Sequence, residues 1–170
     1  VVIDQHLLAF LDHAALLMIG LSGGGWTTHL SAAVDPRIDL SIPVAGALPL
    51  YARPFSPGSK GDAEQEYAPL YREEDTNGDG VLDKATGAAS WLEIFALGGI
   101  SPDPKQPRHQ VQVLNRYDSC CFGGDVYQTY AEPLTKRVAD IRCGSWRVMV
   151  DESHRGHAIS EQVIDTVLAP

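Results

Sequence analysis

Ser22 is the side chain whose neighbours in the sequence best prepare it for chemistry. It sits in Leu16-Leu17-Met18-Ile19-Gly20-Leu21-Ser22-Gly23-Gly24-Gly25-Trp26, where apolar residues run straight into Gly20-x-Ser22-x-Gly24. Leu16 to Ile19 reads as a buried strand and Trp26 to Val34 as a helix. A serine held between the two needs a very tight turn. A side chain two residues before or after it would collide with the neighbouring elements, and glycine removes that collision. A serine hydroxyl is a poor nucleophile near neutral pH. It needs a histidine to take its proton and a carboxylate to fix the imidazole. Two other uses of a glycine-rich turn fit less well. A phosphate loop would open its helix with Gly-Lys-Ser or Gly-Lys-Thr, and here the helix opens Gly25-Trp26-Thr27. A dinucleotide fingerprint begun at Gly23 and Gly25 puts Thr28 where its third glycine belongs.

Candidates for the other two roles also follow strand-like runs. Asp118 comes directly after Gln110 to Asn115, with Asp125 as a rival seven residues later. His157 lies in the loop after Trp146 to Val150 and just before a helix, with His154 as its rival. Gly156 lets that loop turn sharply, which favours His157. His6, His13, His29 and His109 fall on helix or loop positions without such a context.

Together with Ala32-Ala33-x-Asp35-Pro36-Arg37-Ile38 and Val44-Ala45-Gly46, the Ser22 stretch resembles the serine hydrolases of the α/β-hydrolase fold, esterase-like members above all. The resemblance runs from about Leu16 to Leu168 and covers only the second half of a typical member. It implies a Ser-Asp-His order along the chain, filled here by Ser22, Asp118 and His157, and a backbone oxyanion donor at Gly23. The second donor normally comes from a loop ahead of the elbow strand, and the short stretch before Ser22 has no room for it. Hydrolysis of a small-molecule carboxylic ester through an acyl-enzyme would follow, with no cofactor required. A serine peptidase of the prolyl-oligopeptidase type would share the triad and its order. A catalytically inactive fragment with a binding role would keep only the fold.

The elements that must position these residues follow one another as β-α-β, a long insertion, then β-α-β-α. That order predicts an α/β fold, a mostly parallel sheet flanked by helices that matches the later strands of an α/β-hydrolase. A helix is expected over Asp4 to His13 and a strand over Leu40 to Ala45, although Pro43 removes a ladder donor there. The insertion spans residues 48–108, with helical stretches over Ala63 to Glu74 and Ser90 to Leu97. Tyr127 to Ile141 reads as helical despite Pro133, and Ser160 caps a final helix to Leu168. The whole chain is expected to form a single domain, 1–170, truncated at its N-terminus. It begins at Val1 rather than methionine, and an N-terminal remainder of the same protein is the expected partner.

Inside the insertion, Asp75-Thr76-Asn77-Gly78-Asp79-Gly80-Val81-Leu82-Asp83 sets oxygen ligands on alternate residues. Asp75, Asn77, Asp79, the Val81 carbonyl and Asp83 match a calcium loop, and Gly80 permits its bend. Thr86 stands where a bidentate glutamate would complete the shell, so a possible structural calcium would bind weakly. Asn-Gly and Asp-Gly pairs also make ordinary polar turns.

Bulk properties narrow the field. A length of 170 residues with 44% hydrophobic content supports one domain with a real core. The net charge of −9 argues against a nucleic-acid partner. No apolar run approaches the ~18 residues of a membrane span. Three cysteines, Cys120, Cys121 and Cys143, make no disulfide framework and leave at least one unpaired. Adjacent Cys120 and Cys121 read as core or loop thiols, since nothing nearby has Cys-x-x-Cys spacing.

Overall fold

The computed structural model describes residues 15–58, 61–67, 70–71, 87–141 and 144–168. The expected helix over Asp4 to His13, the calcium-loop residues Asp75, Asn77, Asp79, Val81 and Asp83, and Cys143 lie outside them.

Among the described residues, four parallel strands lie side by side in chain order: β1 (Leu17–Leu21), β2 (Leu40–Val44), β3 (Arg108–Asn115) and β4 (Gly144–Asp151). Parallel neighbours can be joined only by crossing a face of the sheet, and crossovers of this kind are almost always right-handed. Repeated in one direction, that rule stacks the connecting helices on one face. These are α1 (Gly23–Val34), α2 (Trp91–Gly99) and α3 (Ala131–Ile141). The α/β class expected from the sequence is the class found.

Side chains alternate across a strand, so β3 and β4 serve two cores. Leu114 and Trp146 face the three helices and pack with Trp91, Phe95, Leu134 and Val138. Val111, Val113 and Met149 face the opposite side, where Val163 of α4 (Glu161–Leu168) joins them with Ile42 and Val44. No helix among the described residues is long and apolar enough to cross a membrane.

Several expected boundaries move. β1 starts one residue later than expected and runs on to Leu21, and α1 begins at Gly23 rather than Trp26. Where the insertion's first helix is expected, the described residues form a 3-10 turn, Ala63–Glu66, and Tyr67 is already extended, while residues 68–69 and 72–74 of that stretch lie outside those described. Tyr127 to Ile141 divides into a 3-10 turn, Val126–Thr129, and α3. Pro133 falls in the first turn of α3, where a missing N–H leaves no helical bond unmade.

Pro43 lies in an interior strand, paired on both sides. The Val44 carbonyl accepts from the β1 side and the Ala45 N–H donates to Val113 on β3, so by alternation Pro43 turns its nitrogen toward β3. The β2–β3 register there runs Leu40–His109, Ser41–Gln110 and then Val44–Val113, skipping Ile42 and Pro43. The proline is tolerated because the ladder is interrupted where its donor is missing.

Candidate active site

Ser22 joins the end of β1 to the start of α1 with φ 57° and ψ −121°. A serine at positive φ stores about 1–3 kcal/mol of strain and must be held there by its surroundings. Its N–H donates to the Val44 carbonyl at 2.9 Å, and its carbonyl accepts from Trp26 N–H at 2.9 Å. The tight approach is made by backbone. A Cβ on Gly20 would lie 2.3 Å from the Gly24 oxygen, and one on Gly25 would lie 2.6 Å from the Val44 oxygen. The expected collision two residues after the serine is therefore misplaced by one. A Cβ on Gly24 would meet nothing within 4 Å, and it is Gly25 that seats α1 against Gly46 at the end of β2. The same open space lies beside Gly23. As the first residue of α1, Gly23 has an N–H without an intrahelical acceptor, at the positive end of the helix.

Asp118 follows β3 and is buried. Its Oδ1 accepts the backbone N–H groups of Cys120 at 2.8 Å and Cys121 at 3.2 Å, which leaves Oδ2 for the Nδ1 of His157 at 2.6 Å. With Nδ1 donating, the lone pair of a neutral His157 lies on Nε2. That nitrogen is buried and has no hydrogen-bond partner among the described residues. The structure thus joins Asp118 to His157 and does not join Ser22 to His157 by a hydrogen bond. One bond ties the histidine loop to β3 and another ties the end of β4 to the residue after β3. Asn115 Nδ2 donates to the Ala158 carbonyl at 3.0 Å, and Arg116 N–H donates to the Asp151 carbonyl at 2.8 Å.

The rivals are engaged elsewhere. Asp125 pairs with Arg116 at the surface. His154 accepts the Gly156 N–H on Nδ1 at 3.1 Å, and its Nε2 lies 3.2 Å from Asp151 Oδ2. Asp151 also accepts Ser153 N–H at 2.8 Å, Ser153 Oγ at 2.6 Å and the Ser160 hydroxyl. Burial pushes the Asp151 carboxyl up, but the hydrogen bonds from Ser153 and Ser160 outweigh it and hold the group below the usual range.

The cysteines depart from expectation. Cys120 and Cys121 form a disulfide, not a pair of free thiols, on the turn that carries Asp118. Sequence reasoning missed both this contact with the site and the Asp151–Ser160 bond. Ser160 was legible only as the cap of α4, a role it also fills by accepting Val163 N–H at 3.1 Å.

No family model and no curated protein matches the sequence. Among solved structures, the chain is similar to the acylaminoacyl peptidase of Pyrococcus horikoshii, with TM-score 0.49 and 13% identity over 93% of this chain and 23% of that one. It is similar to a carbohydrate esterase family 15 glucuronoyl esterase from Caldicellulosiruptor kristjansonii, with TM-score 0.48 and 17% identity over 89% and 41%. An acylaminoacyl peptidase in complex with Z-Gly-Gly-Phe-chloromethyl ketone gives TM-score 0.42 and 14% identity over 91% and 22%. The chain spans 23% and 41% of the length of the first two.

Proposed function

We propose that this chain carries the nucleophile, acid and base of a serine hydrolase that cleaves carboxylic esters through an acyl-enzyme. The observation that carries the reading is the 2.6 Å Asp118–His157 hydrogen bond, on a sheet whose first strand ends in the positive-φ turn at Ser22. In this reading Ser22 Oγ adds to the ester carbonyl while its proton passes to His157 Nε2. Asp118, held to Nδ1, stabilises the imidazolium that forms. The oxyanion takes a hydrogen bond from Gly23 N–H. His157 then gives its proton to the departing alkoxide, and a water repeats the sequence on the acyl-enzyme. A cleft of about 380 Å³ lined by Trp26, Ala63, Glu64, Tyr67 and Leu70 opens beside α1. In this reading it seats the alcohol or acyl group, because Trp26 is one helical turn from Ser22.

Labelling with a fluorophosphonate tests the reading. The wild-type chain, joined to any N-terminal remainder, should be labelled on Ser22, and Ser22→Ala should be neither labelled nor active while staying folded. Labelling that persists in Ser22→Ala would remove the assignment. Turnover of short acyl esters against peptide amides separates esterase from peptidase.

A further inference from the structure

We infer that Cys120, Cys121 and His157 form a binding site for a thiophilic divalent cation, with Zn²⁺ as the type ion, that becomes available when the Cys120–Cys121 disulfide is reduced. The binding site stands on geometry alone. Its effect on turnover, the withdrawal of His157 from Ser22, rests on the proposed role of His157 as base.

The two sulfurs and a ring nitrogen of His157 lie within 4.8 Å of one another. A tetrahedral zinc ion holds sulfur at about 2.3 Å and imidazole nitrogen at about 2.0–2.1 Å, so its ligand atoms stand roughly 3.5–3.8 Å apart. Thiolate and imidazole together select zinc or other soft ions over calcium and magnesium. While the sulfurs are bonded to each other they cannot act as thiolates, so the site is closed in the oxidised chain.

The scaffold beneath the sulfurs does not depend on their bond. Asp118 Oδ1 holds the N–H groups of both cysteines, and Ser56 Oγ donates to the Gly123 carbonyl at 2.9 Å on the far side of the turn. Asp118 Oδ2 holds His157 Nδ1 and leaves Nε2 without a partner among the described residues. A carboxylate on one imidazole nitrogen with the other free is also the arrangement that orients a zinc-bound histidine. Cys120 is exposed, which gives a reductant access.

The chemistry balances with a small dithiol as reductant. One of its thiolates attacks a sulfur of the pair and frees the other cysteine, and its second thiolate then attacks the mixed disulfide, releasing the remaining cysteine and closing the reductant into a cyclic disulfide. Cys120 and Cys121 gain two electrons and two protons and become thiols. On binding the ion they release two protons to solvent, and two thiolates with one neutral imidazole hold the cation, leaving a fourth position open.

The test uses the full chain, reduced, freed of dithiol without air, and titrated with Co²⁺ as a spectroscopic stand-in for Zn²⁺. The expected result is one equivalent bound with sulfur-to-cobalt charge-transfer bands, displaced by Zn²⁺, and no such bands in the oxidised chain. The double variant Cys120→Ser, Cys121→Ser, which retains Cys143, should lose the bands. Asp118→Asn should weaken binding by roughly 10–100-fold. Circular dichroism shows whether the reduced chain stays folded. If it does not, Cys120→His carries the test, since it has no disulfide to break and should bind Co²⁺ without reductant. Bands retained in the double variant, or no binding by either the reduced chain or Cys120→His, would overturn the site. Metal binding that leaves ester turnover unchanged would uphold the site and remove His157 from the role of base.

Discussion

His154 and His157 stand three positions apart, and each lies against a buried aspartate, yet the two pairs are built for different ends. Asp118 spends one oxygen on two backbone N–H groups and keeps the other for His157. Asp151 divides itself among Ser153, Ser160 and His154, and its 3.2 Å approach to His154 is an ion-pair distance. The far nitrogens differ more. His154 Nδ1 is occupied by the Gly156 N–H, whereas His157 Nε2 has no hydrogen-bond partner among the described residues. A base needs a carboxylate behind it and a free lone pair in front. Only the His157 pair offers both.

The largest expected effect separates the pairs by activity. His157→Ala should lower ester turnover by at least ~10³-fold, and Asp118→Asn by about 10⁴-fold through the wrong tautomer. His154→Ala should stay within a few-fold, as should Asp125→Asn. Steady-state kinetics on folded variants decides it, and a collapse with His154→Ala but not His157→Ala would exchange the two roles.

Stability should sort the pairs the other way. Asp151→Asn leaves the donors of Ser153 and Ser160 without a full set of acceptors in a buried place, at about 1–3 kcal/mol. Denaturant melts should show that loss with turnover per folded molecule nearly intact. An Asp151→Asn variant as stable as wild type would mean that the pair is no structural knot.

His29 supplies the contrast of a histidine with no carboxylate. It is fully buried, and Nδ1 meets Gln110 Oε1 at 3.1 Å. Burial lowers its pKa to about 3, against the smaller upward pull of the Gln110 hydrogen bond. The unfolded chain therefore takes a proton below pH ~6.5 that the folded chain refuses. The His29 contribution is complete above that pH and falls away between about 6.5 and 3, by up to ~1.4 kcal/mol per pH unit. His29→Asn should flatten stability against pH over this window, and an unchanged slope would assign the loss to other groups.

The smallest effect concerns carboxylates placed to hold a cation in place of an imidazole. If Asp75, Asp79 and Asp83 take calcium weakly, stabilisation near the dissociation constant is only about 0.4 kcal/mol. A thermal melt in millimolar calcium against chelator should show a small rise in midpoint that Asp79→Ala removes. No rise in wild type would leave the segment a polar turn.

Much of this was legible in the sequence, for reasons that differ residue by residue. The strand-turn-helix at Ser22 could be read because glycine spacing reports backbone crowding directly, and β3 because Val111 and Val113 alternate, although the Gln110 and Gln112 between them are buried as well. Which glycine bears the crowding could not be read, since Gly24 and Gly25 differ only in the neighbour that β2 brings up. The helix expected over Ala63 to Glu74 begins as a 3-10 turn that ends at Tyr67, and propensity alone does not reveal that Gln65 is buried there with its carbonyl accepting from Trp91 Nε1. The disulfide beside Asp118 was invisible for a related reason. Adjacent cysteines say nothing about the histidine that folds in beside them from 36 residues further on, His157 from Cys121.

The gap in the β2–β3 ladder at Ile42 and Pro43, across an otherwise constant register, marks a thinner join between two plates of the sheet. β1 and β2 share five paired positions and carry Ser22, and β3 and β4 share eight and carry Asp118 with the His157 loop. Between the plates only three positions are paired. Amide hydrogen exchange should find the most readily opened sheet bonds along this seam, at Ala45 and its β3 neighbours. Opening there would draw Ser22, the proposed nucleophile, away from His157 while leaving Asp118 and the imidazole together, so the site would come apart as one residue from two.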